Sequence, residues 1–390
     1  MLIKEFFYHI KHQFYLLSTR SFIKNLAILT RSMIDHLLQP TLLSTPLSAS
    51  FQYGQNITIH QVGQTKWKGA HIALIGYGSS KAYQAVREQL AVLTVNFKSN
   101  KVIDLGLVHP NLLPLTELLD ILLRQGIFPI VVAEKGEALI AQLKAYEQGS
   151  EQIALAMIDA RLDYQLEKEH GLLHQLLQYH PKLLQHLTCI GSQSYLTNPA
   201  VVQLLQKKQV DIHRLGSVVQ QLEEVEPMVR QADIAGFSLQ AIRGADVPAL
   251  APRNPNGLTA AQACQLVRYM SVSDQLSSLC LYDWAPQYED YGQTALLTAQ
   301  LIWFAIEGFY ARVYEWPVQR KQLRAYVVDN KLLDTSVTFY KSPKSDRWWV
   351  AIPKEFSSAE PLVACSYADY KMACEGEVPE RLLQAIARLG

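Results

Sequence analysis

The chain is predicted to be an α/β protein with a mostly parallel sheet and helices on both faces. Three observations predict it. Apolar runs of strand length recur from residue 71 onward, at 71–76, 102–106, 127–132, 153–159, 187–191, 210–215, 232–238 and 277–282. Amphipathic runs at helical spacing lie between most of them, at 81–93, 115–125, 137–148, 166–179, 199–208 and 217–231. That is the βαβ rhythm of a parallel sheet. The strand runs are also almost continuously apolar, as strands buried on both faces must be. Eight such strands permit one doubly wound domain or a (β/α) barrel.

The flanks break the rhythm, so three parts are expected. Residues 1–66 form a helical N-terminal extension and linker, with Phe6, Phe7, Ile10, Phe14 and Leu17 at helical spacing and a Pro/Ser/Thr-rich stretch at 40–46. Residues 67–320 form the α/β domain. Residues 321–390 form a β-rich extension with strands at 323–328, 337–341 and 348–352 and a terminal helix from Pro379. Two long loops, 243–257 and 283–291, follow strand ends, and long irregular loops in a compact domain are usually functional.

Composition bounds the function. A chain of 390 residues, 49% hydrophobic and 18% charged, has ample material for a globular core. A formal charge of +1 favours neither nucleic acid nor an anionic membrane surface. The longest apolar run, 294–314, contains Gln300, Glu307, Gly308 and Arg312, which fits a buried core helix rather than a membrane span. Residues 1–25 lack the apolar stretch of a secretory signal. Five cysteines without CxxC spacing argue against a disulfide framework or zinc site, so a cytoplasmic location is expected. Cys189 and Cys280 lie in apolar runs and read as core.

Several motifs carry little chemistry. Gly76-Tyr-Gly78-Ser-Ser-Lys81 begins like a dinucleotide fingerprint but lacks its third glycine, so a plain strand–helix turn is expected. His170 and His174 stand four apart on a predicted helix; a helix face is favoured over metal ligation. Ser192 and Ser194 do not form a nucleophile elbow. The informative stretch is Asp159-Ala-Arg-Leu-Asp163, at the end of the 153–159 strand. In open α/β sheets, ligands bind beyond the carboxyl ends of strands. Two carboxylates there could hold a divalent metal, could hold the arginine between them, or could simply cap the loop.

The order of these loops resembles the ureohydrolase superfamily: arginase, agmatinase and formimidoylglutamase. Phe128-Pro-Ile-Val-Val132 resembles the strand leading to the family's Gly-Gly-Asp-His motif. Asp159-Ala-Arg-Leu-Asp163 resembles Asp-Ala-His-x-Asp, and Ser238-Leu-Gln-Ala-Ile242 resembles Ser-x-Asp-x-Asp. Asn256-Gly-Leu-Thr259 resembles Gly-Gly-Leu-Thr, and Asp283-Trp-Ala-Pro286 resembles Glu-Val-Asn-Pro. The resemblance covers about residues 67–320 and implies a three-layer αβα fold with an eight-stranded, mostly parallel sheet.

It also implies a chemistry that this chain lacks the groups to perform. The family holds two Mn²⁺ ions with two histidines and four aspartates, and the ions activate a hydroxide. By the resemblance, the histidine positions fall at Gly136 and Arg161, and two aspartate positions fall at Gln240 and Ile242. Only Asp159 and Asp163 remain. The glutamate that reads a substrate guanidinium falls at Asp283, the one candidate catalytic residue. No cofactor is therefore expected, and a guanidinium bridge from Arg161 to both aspartates is expected to fill the metal position.

Three functions compete. The first is a pseudoenzyme that acts by binding, as a homo-oligomer or with a protein partner, through Trp348, Trp349 and the N-terminal extension; both tryptophans could equally pack the C-terminal segment onto the core. The second is a Mn²⁺-dependent hydrolase of amidine C–N bonds, with a site rebuilt from Glu134, His174, Asp246 or Asp283. The third is a pocket for a small anion lined by Lys135, Arg161 and Arg243.

Overall fold

The computed structural model describes residues 35–39, 49–61, 69–95, 101–147, 149, 152–167, 171–179, 183–289, 291–315, 318–357 and 359–389. The expected helix over residues 6–17, the 40–46 linker and His170 lie outside them.

All eight predicted strands form. They are β3 (Ile72–Tyr77), β4 (Val102–Val108), β5 (Phe128–Ala133), β6 (Ile153–Ile158), β7 (Leu184–Ser192), β8 (Asp211–Arg214), β9 (Ile234–Ser238) and β10 (Ser278–Tyr282). They pair in parallel in the order β4-β3-β5-β10-β9-β6-β7-β8, an open sheet and not a barrel. Two short strands from the N-terminal side, β1 (Leu38–Gln39) and β2 (Thr58–Ile59), pair with β4 at the edge, β1 antiparallel and β2 parallel.

Helices cover both faces because the strands are apolar on both. Against one face lie α1 (Ser80–Val92), α6 (Leu215–Gln220), α7 (Val225–Arg230), α8 (Ala260–Ser271) and α9 (Gln293–Tyr310). Against the other lie α2 (Leu112–Arg124), α3 (Glu137–Ala145), α4 (Leu172–Tyr179) and α5 (Pro199–Lys207). The Gly76–Gly78 stretch is a strand–helix turn: Ser79 caps α1 through the Ala82 N–H at 3.2 Å. A side chain at Gly76 would meet the Tyr83 ring at 2.4 Å, so the glycine allows close helix–strand packing. Helix α9 is the apolar run of the sequence, buried in the core, and no helix among the described residues is long and apolar enough to cross a membrane.

The helix expected over 217–231 is broken into α6, a 3₁₀ turn at Leu222–Glu224 and α7. Pro227 explains the break. In one continuous helix its ring would clash with the carbonyl four residues earlier, whereas in the first turn of α7 it is tolerated.

The C-terminal segment is a separate antiparallel sheet of β11 (Arg324–Asn330), β12 (Thr335–Lys341), β13 (Trp348–Ala351) and β14 (Leu362–Cys365), with α10 (Tyr367–Cys374) and α11 (Glu380–Leu389). Strand β14 and helix α10 were not anticipated. Trp348 and Trp349, considered as exposed contact residues, are buried at 7% and 4% exposure. Trp348 stacks on Tyr370 at 4.8 Å, and the Arg230 guanidinium lies 4.6 Å above Trp349. The tryptophans pack this segment instead of presenting it.

Arg230 is the rivet between the two sheets. It is buried on α7, and its Nη2 donates to Trp348 O at 3.0 Å and to Cys365 O at 2.9 Å. Burial lowers its pKa, and the Glu226 carboxylate, 3.4 Å from Nε, opposes that. Arg230→Ala removes two hydrogen bonds to buried carbonyls and leaves Arg347, 3.2 Å away, as the cation beside Glu226. It is expected to cost about 3 kcal/mol, read as a lower denaturant midpoint.

Candidate functional site

The topology brings four strand ends together. After β8 the chain returns to lay β9 and β10 between β6 and β5. The loops leaving β5, β10, β9 and β6 therefore converge at the carboxyl edge, where an open α/β sheet binds ligands. They carry Glu134, Lys135 and Gly136; Asp283; Gln240 and Ile242; and Asp159, Arg161 and Asp163. All six inferred metal positions thus reach one mouth, by the strand ends that bear them.

Asp159 is 8% exposed. Its Oδ1 accepts the Arg161 backbone N–H at 3.0 Å, and its Oδ2 accepts the Tyr282 hydroxyl at 3.1 Å. Burial first, then the Asp283 charge, push the Asp159 carboxyl up to about 8, against the two hydrogen bonds. Asp283 sits at φ 66°, in the left-handed region, and accepts the Ser238 hydroxyl at 2.7 Å. Burial raises its pKa to about 6, while the Ser238 hydrogen bond, the Gly136 N–H and the Arg161 charge hold it down. Asp163 has a different task. Its Oδ2 accepts the Leu172 N–H at 2.8 Å and its backbone oxygen accepts the Leu173 N–H at 3.0 Å, so it caps the start of α4. Gly171, at φ +108°, lies so close to Asp163 that a Cβ would meet its carbonyl oxygen at 2.4 Å.

The expected Arg161 bridge does not form. Among the described residues its guanidinium is not in ion-pair range of Asp159 or Asp163; its backbone N–H is what reaches Asp159. The physical reason is that both carboxylates already have neutral donors, two N–H groups and a phenol. The loop-capping alternative is the one the geometry follows.

The remaining positions are filled by hydrocarbon or amide. A Cβ at Gly136 would meet Leu172 Cδ2 at 2.5 Å and the Tyr282 ring at 3.2 Å. Gly236 leaves room for the same ring, with a would-be contact of 3.2 Å. Tyr282 is fully buried, and its hydroxyl faces the retained Asp159. Sequence reasoning missed this tyrosine; the only signal was its place as the last residue of a strand whose next residue is Asp283. Ile242 is fully buried in the core and bridges to Leu258. Gln240 is half-buried at the rim of a cavity.

The residues considered for a rebuilt metal site do not converge. Asp246 pairs with Arg243 at 2.9 Å and accepts the Ala260 N–H at 2.8 Å. His174 is buried, 5.1 Å edge-on from Tyr164. Glu134 packs beside Gly78. Among the described residues, no three His, Cys, Asp or Glu side chains are grouped so as to hold a metal ion. The donor set present does not fit a pair of manganese ions: its two carboxylates serve a helix start and a phenol, and its glycine position offers no donor and crowds even a Cβ against Leu172 and Tyr282. Of the nucleophile candidates, Ser192 Oγ only donates to His213 O at 3.4 Å.

An αβα protein with this strand order and these converging loops has the architecture of the metal-dependent ureohydrolases. The model of the arginase family matches residues 76–307, and the chain belongs to that family. The formimidoylglutamase of Bacillus subtilis subsp. subtilis str. 168 superimposes with a TM-score of 0.60 at 16% identity, covering 70% of this chain and 97% of that one. A Trypanosoma cruzi formiminoglutamase with Mn²⁺ gives 0.57 at 16%, over 64% and 97%. The agmatine ureohydrolase of Thermoplasma volcanium gives 0.54 at 17%, over 68% and 96%. At these identities the likeness is one of fold. No curated protein matches the chain.

Two outcomes are expected of this site. A carboxyl raised from 3.8 to about 8 holds its proton in the folded state while the unfolded chain has lost it. Its contribution to stability is therefore fully present below about pH 4 and is lost as pH rises through about 8. Asp159→Asn should gain on the wild type between pH 5 and pH 8 in urea unfolding; a parallel pH dependence in both proteins would contradict the assignment. Gly136→His, which supplies the residue that the resemblance implies there, should destabilise by about 1–3 kcal/mol by overpacking against Leu172 and Tyr282, read as a lower Tm.

Proposed function

We propose that this arginase-family chain is non-catalytic and acts by binding. The observation that carries the proposal is the crowding at Gly136, where even a Cβ would meet Leu172 Cδ2 at 2.5 Å and the Tyr282 ring at 3.2 Å. Metal-assisted hydrolysis requires ions that polarise the substrate and lower the pKa of water. Here the inherited Asp159 carboxyl favours a proton and a phenol as its partners. A charged Arg161 at a former ligand position opposes a cation further. Binding at the mouth is supported by exposed tyrosines after β7 and β10, Tyr195 at 64% and Tyr288 at 49% exposure. A self-associating or partner-bound state in the cytoplasm belongs to the same proposal, and five free thiols, four of them buried, are compatible with a reducing compartment.

The test is direct. Protein purified after growth and incubation with manganese is expected to carry none by elemental analysis. It is expected to release neither urea from arginine or agmatine nor formamide from formimidoylglutamate. Stoichiometric manganese together with turnover by the pure protein overturns the proposal.

A further inference from the structure

The mouth holds a cavity of about 150 Å³, lined by Ala160, Arg161, Leu196, Gln240, Arg253 and Asn254 with Pro252 and Pro255. No carboxylate lines it. Two arginines do, and neither is in ion-pair range of an acidic side chain among the described residues. Arg253 is held in place by carbonyls instead: Nε donates to Pro248 O at 2.6 Å and Nη2 to Tyr288 O at 3.4 Å. Carbonyl oxygens fix a guanidinium without cancelling its charge, and its Nη1 has no protein acceptor among the described residues. The side-chain amide of Gln240 likewise makes no hydrogen bond among them. Asn254 is braced through its amide to Gln193 Oε1 at 2.6 Å, which steadies this wall. Arg161 acts on Asp283 by its charge alone. The other two cations considered from sequence do not line the cavity: Arg243 is spent on Asp246 and Lys135 is exposed.

We propose that this cavity is a site for a small oxyanion, the carboxylate or phosphate group of a compact ligand. This rests on the binding-only function proposed above and names the ligand chemistry. Two guanidiniums that line one cavity without an ion pair of their own supply the N–H donors that oxyanions match, and the Gln240 amide adds a donor. Pockets for larger ligands run to roughly 300–1,000 Å³, so this one suits an anionic group with little attached to it. The charge preference is opposite to that of a pocket for guanidinium groups, so arginine and agmatine side chains are repelled.

Isothermal titration at constant ionic strength, with inorganic phosphate and with acetate as probes, tests this. One saturable site is expected for at least one probe, and the tighter probe tells phosphate from carboxylate. Arg161→Gln and Arg253→Gln should each weaken it about tenfold, the scale of one lost charge-assisted hydrogen bond. Arg243→Gln should leave it unchanged, and Gln240→Leu should weaken it less than either arginine change. Circular dichroism on each variant separates lost binding from lost fold. No saturable binding of either probe by the wild-type chain, or binding unchanged in both arginine variants, overturns the inference. A metal-free, inactive preparation that binds neither probe defeats this inference alone; manganese with amidine turnover defeats the function beneath it.

Discussion

The Asp159 carboxyl is the constraint around which the mouth is arranged. It lies at the end of a central strand, so the sheet buries it whatever the neighbouring loops carry. A buried carboxylate needs a cation, a proton or donors. In the family's chemistry a metal serves that need. Here the Arg161 N–H and the Tyr282 hydroxyl do so, and burial beside Asp283 shifts the balance toward a retained proton. The surroundings match that arrangement: hydrocarbon crowds Gly136, Ile242 lies in the core, and Asp163 caps a helix start.

The same principle explains the C-terminal sheet. A buried arginine on α7 would be costly alone, but it donates to a carbonyl of β13 and one of β14 and lies beside the Glu226 carboxylate. Arg381 adds a second tie, 2.8 Å from Glu224, and Arg388 a third, 3.0 Å from Asp211. Docking is thus polar at its centre and aromatic around it, with Trp348 and Trp349 covered. Cationic side chains recur at both places in different settings: at the sheet junction each has a carboxylate in ion-pair range, and at the mouth two line a cavity without an ion pair among the described residues.

Much of the fold was legible. Strands buried on both faces read as unbroken apolar runs, and helices covering them read as amphipathic ones, so eight strands and most helices could be placed. Features set by single residues were harder. Pro227 divides a periodic segment without disturbing its hydrophobic pattern. Strand β14 is short, at four residues, and gives little pattern to read. At the mouth, the residues singled out by the resemblance follow strand ends because motif order along the chain maps to strand order in the sheet. Arg253 was not singled out because it lies within a long loop whose path is set by contacts distant in sequence.

The sequence by itself determined the βαβ architecture and the family resemblance, because each is a matter of residue identity and local period. Tertiary structure alone decided which groups meet. It placed a tyrosine from β10 against an aspartate after β6, left Arg161 without an ion pair among the described residues, and set Arg253 on the same cavity. Those outcomes depend on how buried charge is satisfied across strands distant in sequence, which no local pattern encodes.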